Sequence, residues 1–296
     1  MVGLEIRDAA VVAVLIDEGG SVRKRAQAAG DPPLAAVTAV EGVLPAASGS
    51  SGTGSLGIAA ANLDSPVLAR LLPALSSRFS DLPHHDSVIG SGTAAVIAES
   101  WIGAARGARD VVYFAVAEHA TAGMIRDGRP VTGAHGRAPA VAWLSLNPVE
   151  REDYRKAGCV EAEVAAAGIV RRLIWRIKAG DHSRVRDAVN GELGAITVDH
   201  VLNAARERDG VSISVIRDTA KYLGMAAANL VAIGDPNVLV LGGIMASAAD
   251  LLLDPIRTEL ARRLPGPMNE ALTVSTATLD SDAAAIGAAK HASAKA

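Results

Sequence analysis

Apolar residues in this chain fall into short β-branched runs and longer runs at helical spacing, and their order predicts most of its elements. Val2–Ile6 and Ala10–Asp17 predict two strands joined by a turn, because the run Val11–Ile16 is too short and too branched for a helix. Gly19 and Gly20 then predict a tight hairpin into a third strand at Ser21–Arg25. Helical spacing covers Leu34–Leu44, Pro66–Phe79 and Thr93–Arg106, and an apolar strand at Leu56–Ala61 separates the first two. Asp110–Ala117 reads as a buried strand. Ala122–Ile125, followed by Asp127-Gly128-Arg129, reads as another strand and its hairpin turn.

Past Pro148 the pattern changes. Cys159–Lys178, Val185–Leu193, Val198–Arg208 and Ser212–Ala232 are all spaced as helices, and a strand at Val238–Leu241 then ends in Gly242-Gly243. A helix at Leu251–Leu264, a strand at Leu272–Thr278 and a helix at Ala283–Ala292 complete the chain. This order predicts an α/β protein of two lobes. The expected division is residues 1–110 and 111–296, with a helical insertion at 159–232 and the terminal helix packing back on the first lobe.

Composition narrows the function classes. Half of the 296 residues are hydrophobic, only three Trp, three Tyr and two Phe are aromatic, and 29 glycines allow close turns, which fits an α/β core. The 29 Lys and Arg against 32 Asp and Glu leave a formal charge of −3, so direct nucleic-acid binding by phosphate neutralisation is not expected. The single cysteine, Cys159, forms no internal disulfide, which points to a reducing, cytoplasmic setting. No signal peptide is expected at Met1–Arg7, and no apolar run reaches the roughly 18 residues of a membrane helix.

Several strings carry candidate chemistry. Gly52-Thr53-Gly54-Ser55-Leu56-Gly57 matches G-x-G-x-x-G, but it opens a strand instead of a helix, so it reads as a loop and not as a dinucleotide site. His84-His85-Asp86 offers metal-ligand types at adjacent positions that share no face, and a turn after Leu82-Pro83 is the simpler reading. Glu118-His119 follows a strand, where binding groups project from α/β sheets, and reads either as a ligand contact or as a solvated loop. Leu230–Gly243 is a helix, a Gly-Asp-Pro-Asn turn and a buried strand ending in two glycines, where a ligand can approach the backbone.

Together these stretches resemble the ROK family (repressor, open reading frame, kinase) of the actin-like ATPase and sugar kinase superfamily. The likeness rests on Ala94–Glu99 with Gly107–Tyr113, Gly128–Gly136, Gly158-Cys159-Val160-Glu161, Leu223–Gly243, Asp254–Arg257 and Ser281–Ala289. It implies a two-lobed ribonuclease-H-like fold with the ligand cleft between the lobes, and a homodimer.

The resemblance also exposes departures. Family kinases open with an Asp-x-Gly-Gly-Thr hairpin beside the nucleotide phosphates, whereas this chain has Glu5-Ile6-Arg7-Asp8-Ala9, adding bulk and an anion where bare peptide is needed. The catalytic Asp of an Asn-Asp pair aligns with Ser91, after Gly90; Asp86 is the nearest upstream carboxylate and the possible substitute. The second phosphate loop aligns with Ala117–Gly123, of which only Gly123 is retained. Ala140 and Trp143 stand at the Glu and His positions that contact sugar, and Trp143 is expected to fill vacated volume. Of three zinc cysteines only Cys159 remains, with Glu152 and Tyr154 in the other places, so zinc is not expected. Glu161 is the one polar sugar ligand kept; it reads as a sugar contact or as a helix-start residue.

The resemblance therefore implies a catalytically impaired sugar-kinase homologue, a pseudokinase acting as a small-molecule-binding or regulatory protein, with a sugar-like ligand expected at Gly90, Ser91, Glu118, His119 and Glu161. The alternative is a divergent glucokinase-like kinase of hexoses or amino sugars, in which ATP and Mg would be needed and Gly242 and Gly243 would lie on the nucleotide side. A third reading is a ROK-type transcriptional regulator without its helix-turn-helix domain, since the first strand begins at residue 2.

Overall fold

The computed structural model describes residues 1–44, 54–80 and 88–295. In chain order the first elements are β1 (Val2–Ile6), β2 (Ala10–Ile16), β3 (Val22–Ala29), α1 (Pro32–Val43), β4 (Leu56–Ala60), α2 (Pro66–Arg78), β5 (Val88–Gly90) and α3 (Ser91–Trp101). Then come β6 (Val111–Val116), β7 (Ala120–Arg126), β8 (Arg129–Pro130), α4 (Glu152–Ala157), α5 (Cys159–Val164), α6 (Ala166–Lys178), α7 (Arg184–Ala188), α8 (Val198–Arg206) and α9 (Gly210–Gly234). The last are β9 (Val238–Gly243), α10 (Ile244–Ser247), α11 (Ala249–Arg263), α12 (Gly266–Ala271), β10 (Thr273–Thr276) and α13 (Ala283–Ser293).

Two five-stranded sheets result, ordered β3-β2-β1-β4-β5 and β10-β9-β6-β7-β8. In the first, β1 pairs antiparallel with β2 and parallel with β4, and β5 joins β4 in parallel. The chain divides into two compact units, Met1–Tyr113 with Thr121–Pro139 and Ala277–Ala296, and Phe114–Ala120 with Ala140–Thr276. This is the two-lobed α/β architecture expected from the sequence. No helix among the described residues is long and apolar enough to cross a membrane.

Alternation along the strands builds the first unit as three layers. Leu4, Val11, Ala13, Leu56 and Ile58 face one side of the sheet and are buried with Val40 of α1 and Leu71 and Leu75 of α2. Val14, Ile16 and Ala59 face the other, where α3 and α13 cover them with alanines. Small residues let α13 come close: a Cβ on Gly3 would lie 1.8 Å from the Ala285 carbonyl oxygen, and one on Gly57 1.9 Å from that of Ala288.

In the second unit the 25-residue α9, about 37 Å long at 1.5 Å per residue, is the helix against which α6, α8 and α11 pack. Asp209 caps its start by accepting from the Ser212 amide, and Asp235 ends it in the left-handed conformation at φ 42°.

The structure corrects several boundaries. The helix expected at Thr93–Arg106 begins at Ser91 and stops at Trp101, because the Glu99 carboxylate turns to accept amides from Ala104, Thr278 and Leu279. The single helix expected at Cys159–Lys178 is two, broken where the Ala166 amide donates to the Ala117 carbonyl instead of continuing the helix. The helix expected at Val185–Leu193 ends at Ala188, since Asn190 and Gly191 adopt positive φ. Strand β5 and helix α4 carry no clear pattern of their own, and β10 is shorter than Leu272–Thr278.

Candidate functional site

The β1–β2 turn is filled by side chains where the resemblance expects glycines. Arg7 donates from Nε and Nη2 to Glu5 Oε2 at 2.8 and 2.5 Å, and its Nη2 also reaches the Ser281 carbonyl. Both side chains are largely covered, at 25% and 14% exposure, while Asp8 and Ala9 stand exposed at the tip. The turn is thus braced by an ion pair, and its tip carries the Asp8 carboxylate.

Gly90 ends β5 and is the residue before α3, whose first turn receives no side-chain cap. Ser91 opens that helix; it is 7% exposed, and its hydroxyl, buried, has no hydrogen-bond partner. Among the described residues no carboxylate or imidazole is bonded to Ser91 Oγ. Gly92 and Gly123 explain why this corner is tight: a Cβ on Gly92 would sit 2.2 Å from the Ala122 oxygen, and one on Gly123 2.1 Å from the Gly92 oxygen. The retained Gly123 thus serves packing. Asp86, like His84 and His85 and most of the Ser/Gly tract, lies outside the described residues.

The second unit brings His119 and Glu161 together. The turn after β6 closes with the Ala117 amide donating to the His119 carbonyl at 3.0 Å, leaving Glu118 exposed at the tip and His119 half-buried behind it. Gly158, at φ 91°, lets the chain turn into α5, and Glu161 follows in that helix's first turn. Its carboxylate meets His119 Nδ1 at 3.2 Å through Oε1 and accepts from the Ala120 amide at 3.1 Å through Oε2. At 18% exposure Glu161 is held but still reachable, and a carboxylate with about four lone-pair sites retains room for further donors. Such a clamp suits recognition of hydroxyl groups.

Gly242 and Gly243 close β9 in the same unit. Gly243 takes φ 60° and ψ −132°, a conformation that favours glycine, and a Cβ there would lie 2.1 Å from the Val116 oxygen. Both of its glycine requirements are met by the strand-to-helix turn itself.

The stretch that the resemblance relates to zinc is filled otherwise. Cys159 is buried with Tyr154, Ala162 and Leu146, and exposed Glu152 pairs with Lys156 at 2.7 Å. Among the described residues no cluster of three His, Cys, Asp or Glu side chains is placed to hold a metal. Trp143 is 59% exposed, which corrects the expectation that it fills vacated volume.

The sequence reading passed over Glu163. This buried carboxylate accepts from the Tyr154 hydroxyl, from Arg151 at 3.1 Å and from Arg172 at 2.5 Å. Burial, followed by the bond to Glu163, holds the Tyr154 hydroxyl well above its usual range. The one sequence signal was a glutamate on a helix also carrying Cys159 and Ala162, with its three partners spread from Arg151 to Arg172.

These lobes and this corner define a protein of the actin-like sugar kinase fold. Residues 91–295 match the ROK family, and the chain belongs to it. It is 29% identical over 196 residues to a glucokinase of Halalkalibacterium halodurans, covering 65% of this chain and 59% of that one. It is 28% identical over 163 residues to the DNA-binding transcriptional dual regulator NagC of Escherichia coli, covering 55% and 39% respectively. The chain thus matches about three fifths and two fifths of those relatives' lengths. Among solved structures, a ROK family glucokinase from Streptomyces griseus in complex with glucose and AMPPNP matches with a TM-score of 0.82 at 25% identity, over 99% of both chains.

Proposed function

We propose that this protein binds a hexose-type sugar through the clamped Glu161 carboxylate and His119, as a divergent member of the glucokinase branch with weakened phosphoryl transfer. The observation that carries this reading is the Glu161–His119–Ala120 arrangement, which leaves a fixed carboxylate able to accept sugar hydroxyls. The glucose held by the Streptomyces griseus relative supports the ligand class, and its AMPPNP supports ATP with Mg as phosphoryl donor in the active alternative. In that case Gly242 and Gly243 would border the nucleotide.

Two positions argue for weak transfer. A neutral serine hydroxyl such as Ser91, bonded to no base among the described residues, does not take a proton from a sugar hydroxyl near neutral pH, and a positioned base contributes roughly 10²–10⁴-fold. The Arg7–Glu5 pair and Asp8 occupy the turn that the family resemblance relates to the phosphate hairpin. A regulatory, pseudokinase role is the reading these two positions favour, and the likeness to NagC supports regulation as a second use of the same sugar site.

Thermal unfolding with glucose and amino sugars, alongside a coupled assay of ADP release, tests both halves. A sugar at 100 times its dissociation constant is expected to stabilise the protein by about 2.7 kcal/mol, and Glu161→Gln is expected to abolish that shift. ADP release is expected to be absent or at least about hundredfold below a glucokinase's. No shift with any hexose overturns the sugar reading, whereas glucokinase-like turnover overturns the weakened-transfer reading and leaves an ordinary sugar kinase.

A further inference from the structure

Away from the Glu161 corner, the second unit holds a cavity of about 470 Å³ between α6, α9 and the end of α11. That is within the range of small-ligand pockets. Its walls carry five cationic side chains, Arg151, Arg171, Arg172, Lys221 and Arg263, against the carboxylates of Glu163 and Asp218. For a chain whose overall charge is −3, this is a local reversal of sign.

Not all of these cations are consumed by their neighbours. Arg172 donates from its Nη groups to Glu163 at 2.5 Å and to Thr219 Oγ1 at 2.8 Å, and Arg263 donates to Glu259 at 3.0 Å. By contrast Lys221 meets only the rim of Asp218, at 3.5 Å, with its side chain 55% exposed. Arg171 spends its Nη groups on the Ala162 carbonyl at 2.6 Å and on Asp153 at 3.0 Å, but its buried Nε has no hydrogen-bond partner. A covered guanidinium N–H without an acceptor calls for an ion or water to complete it.

An apolar surface stands beside the charges. Trp175 is 49% exposed, and the guanidinium carbons of Arg151 and Arg171 lie 5.2 and 5.1 Å from its ring centroid. Tyr222 lines the same cavity under Arg172, at 5.7 Å. Guanidinium and ammonium donors around one space match the several acceptor oxygens of a phosphate, and the exposed indole offers stacking area to a ring attached to it.

We propose that this cavity is a second ligand site, for a small organic phosphate: a phosphomonoester carried on a sugar or nucleoside ring, with Lys221 and Arg171 receiving the phosphate and Trp175 the ring. This site is independent of the sugar reading at Glu161.

Titration of the intact protein with inorganic phosphate, a hexose 6-phosphate, a nucleoside monophosphate and the corresponding unphosphorylated compounds tests it, followed by tryptophan fluorescence and calorimetry. Saturable binding of at least one phosphomonoester is expected, at least about tenfold tighter than its unphosphorylated parent. Lys221→Glu is expected to weaken it by about tenfold or more, and Lys221→Gln by less, with hexose binding at Glu161 unchanged in both. Absence of saturation at millimolar phosphomonoester overturns the proposal. So does equal binding of the parent compound, an affinity indifferent to both Lys221 variants, or sedimentation showing that a second copy covers Trp175.

Discussion

Asp209 shows how much one carboxylate can do in this chain. At 6% exposure it accepts hydrogen bonds from the Ser183 hydroxyl, the Arg184 amide, and the Ser212 amide and hydroxyl, at 2.8–3.1 Å. Burial pushes its pKa up, the bonds from Ser212, Arg184 and Ser183 pull it down further, and the balance lies below the ordinary 3.8. Because the folded value is the lower one, this contribution to stability is complete above about pH 4 and is lost as pH falls through the folded pKa. Asp209→Ala removes a helix cap and strands two buried hydroxyls, so urea denaturation is expected to show a loss of about 2–4 kcal/mol near neutral pH and a shallower acid limb. The capping role of Asp209 is legible in its residue type just before a helical run. Its bond to Ser183 is not, because those residues are 26 apart and meet only through tertiary folding. Glu161 differs: family likeness marked it, but its partner His119 lies 42 residues away and only the turn after β6 brings the two together.

At the scale of elements, α13 is the piece whose placement depends most on missing side chains. A Cβ on Gly287 would stand 1.7 Å from the Ala94 backbone oxygen of α3, and no flexible side chain is available there to yield. Gly287→Ala is therefore expected to destabilise by about 3 kcal/mol, enough to lower the thermal midpoint clearly. Gly194→Ala, where nothing lies within 4 Å of the added atom, is the matched control and is expected to leave the midpoint nearly unchanged. Element types were mostly readable, since short apolar runs marked β1, β2 and β4 and helical spacing marked α1, α2 and α9. The break between α5 and α6 was not. Ala162 to Ala167 contains good helix formers and no proline, and the break follows from the Ala166–Ala117 hydrogen bond between distant segments. Gly168 was the only local hint, because a Cβ there would lie 2.4 Å from the Ala162 oxygen across the bend.

Over the whole molecule, pH sensitivity above the carboxylate range has an identifiable source. His291, on α13, is pushed below its ordinary 6.5 by burial and then by nearby Lys295, and its buried Nε2 has no hydrogen-bond partner. The unfolded chain therefore binds a proton that the folded chain resists, so stability present above pH 6.5 declines as pH falls through that value. Chemical denaturation from pH 8 to about 5.5 is expected to show this decline, and His291→Gln to flatten it; an unchanged slope in the variant would assign the effect elsewhere. The pattern of branched and apolar residues was enough to set the two α/β lobes and most of their strands and helices, because burial and backbone geometry act over a few residues at a time. Motif likeness added the family and singled out Ser91 and Glu161. Tertiary structure alone decided that Glu161 is held by His119, that Trp143 stands in solvent and that Lys221, Arg171 and Trp175 share one cavity. Those outcomes depend on distances between segments far apart in the chain, and spacing along a sequence does not encode them.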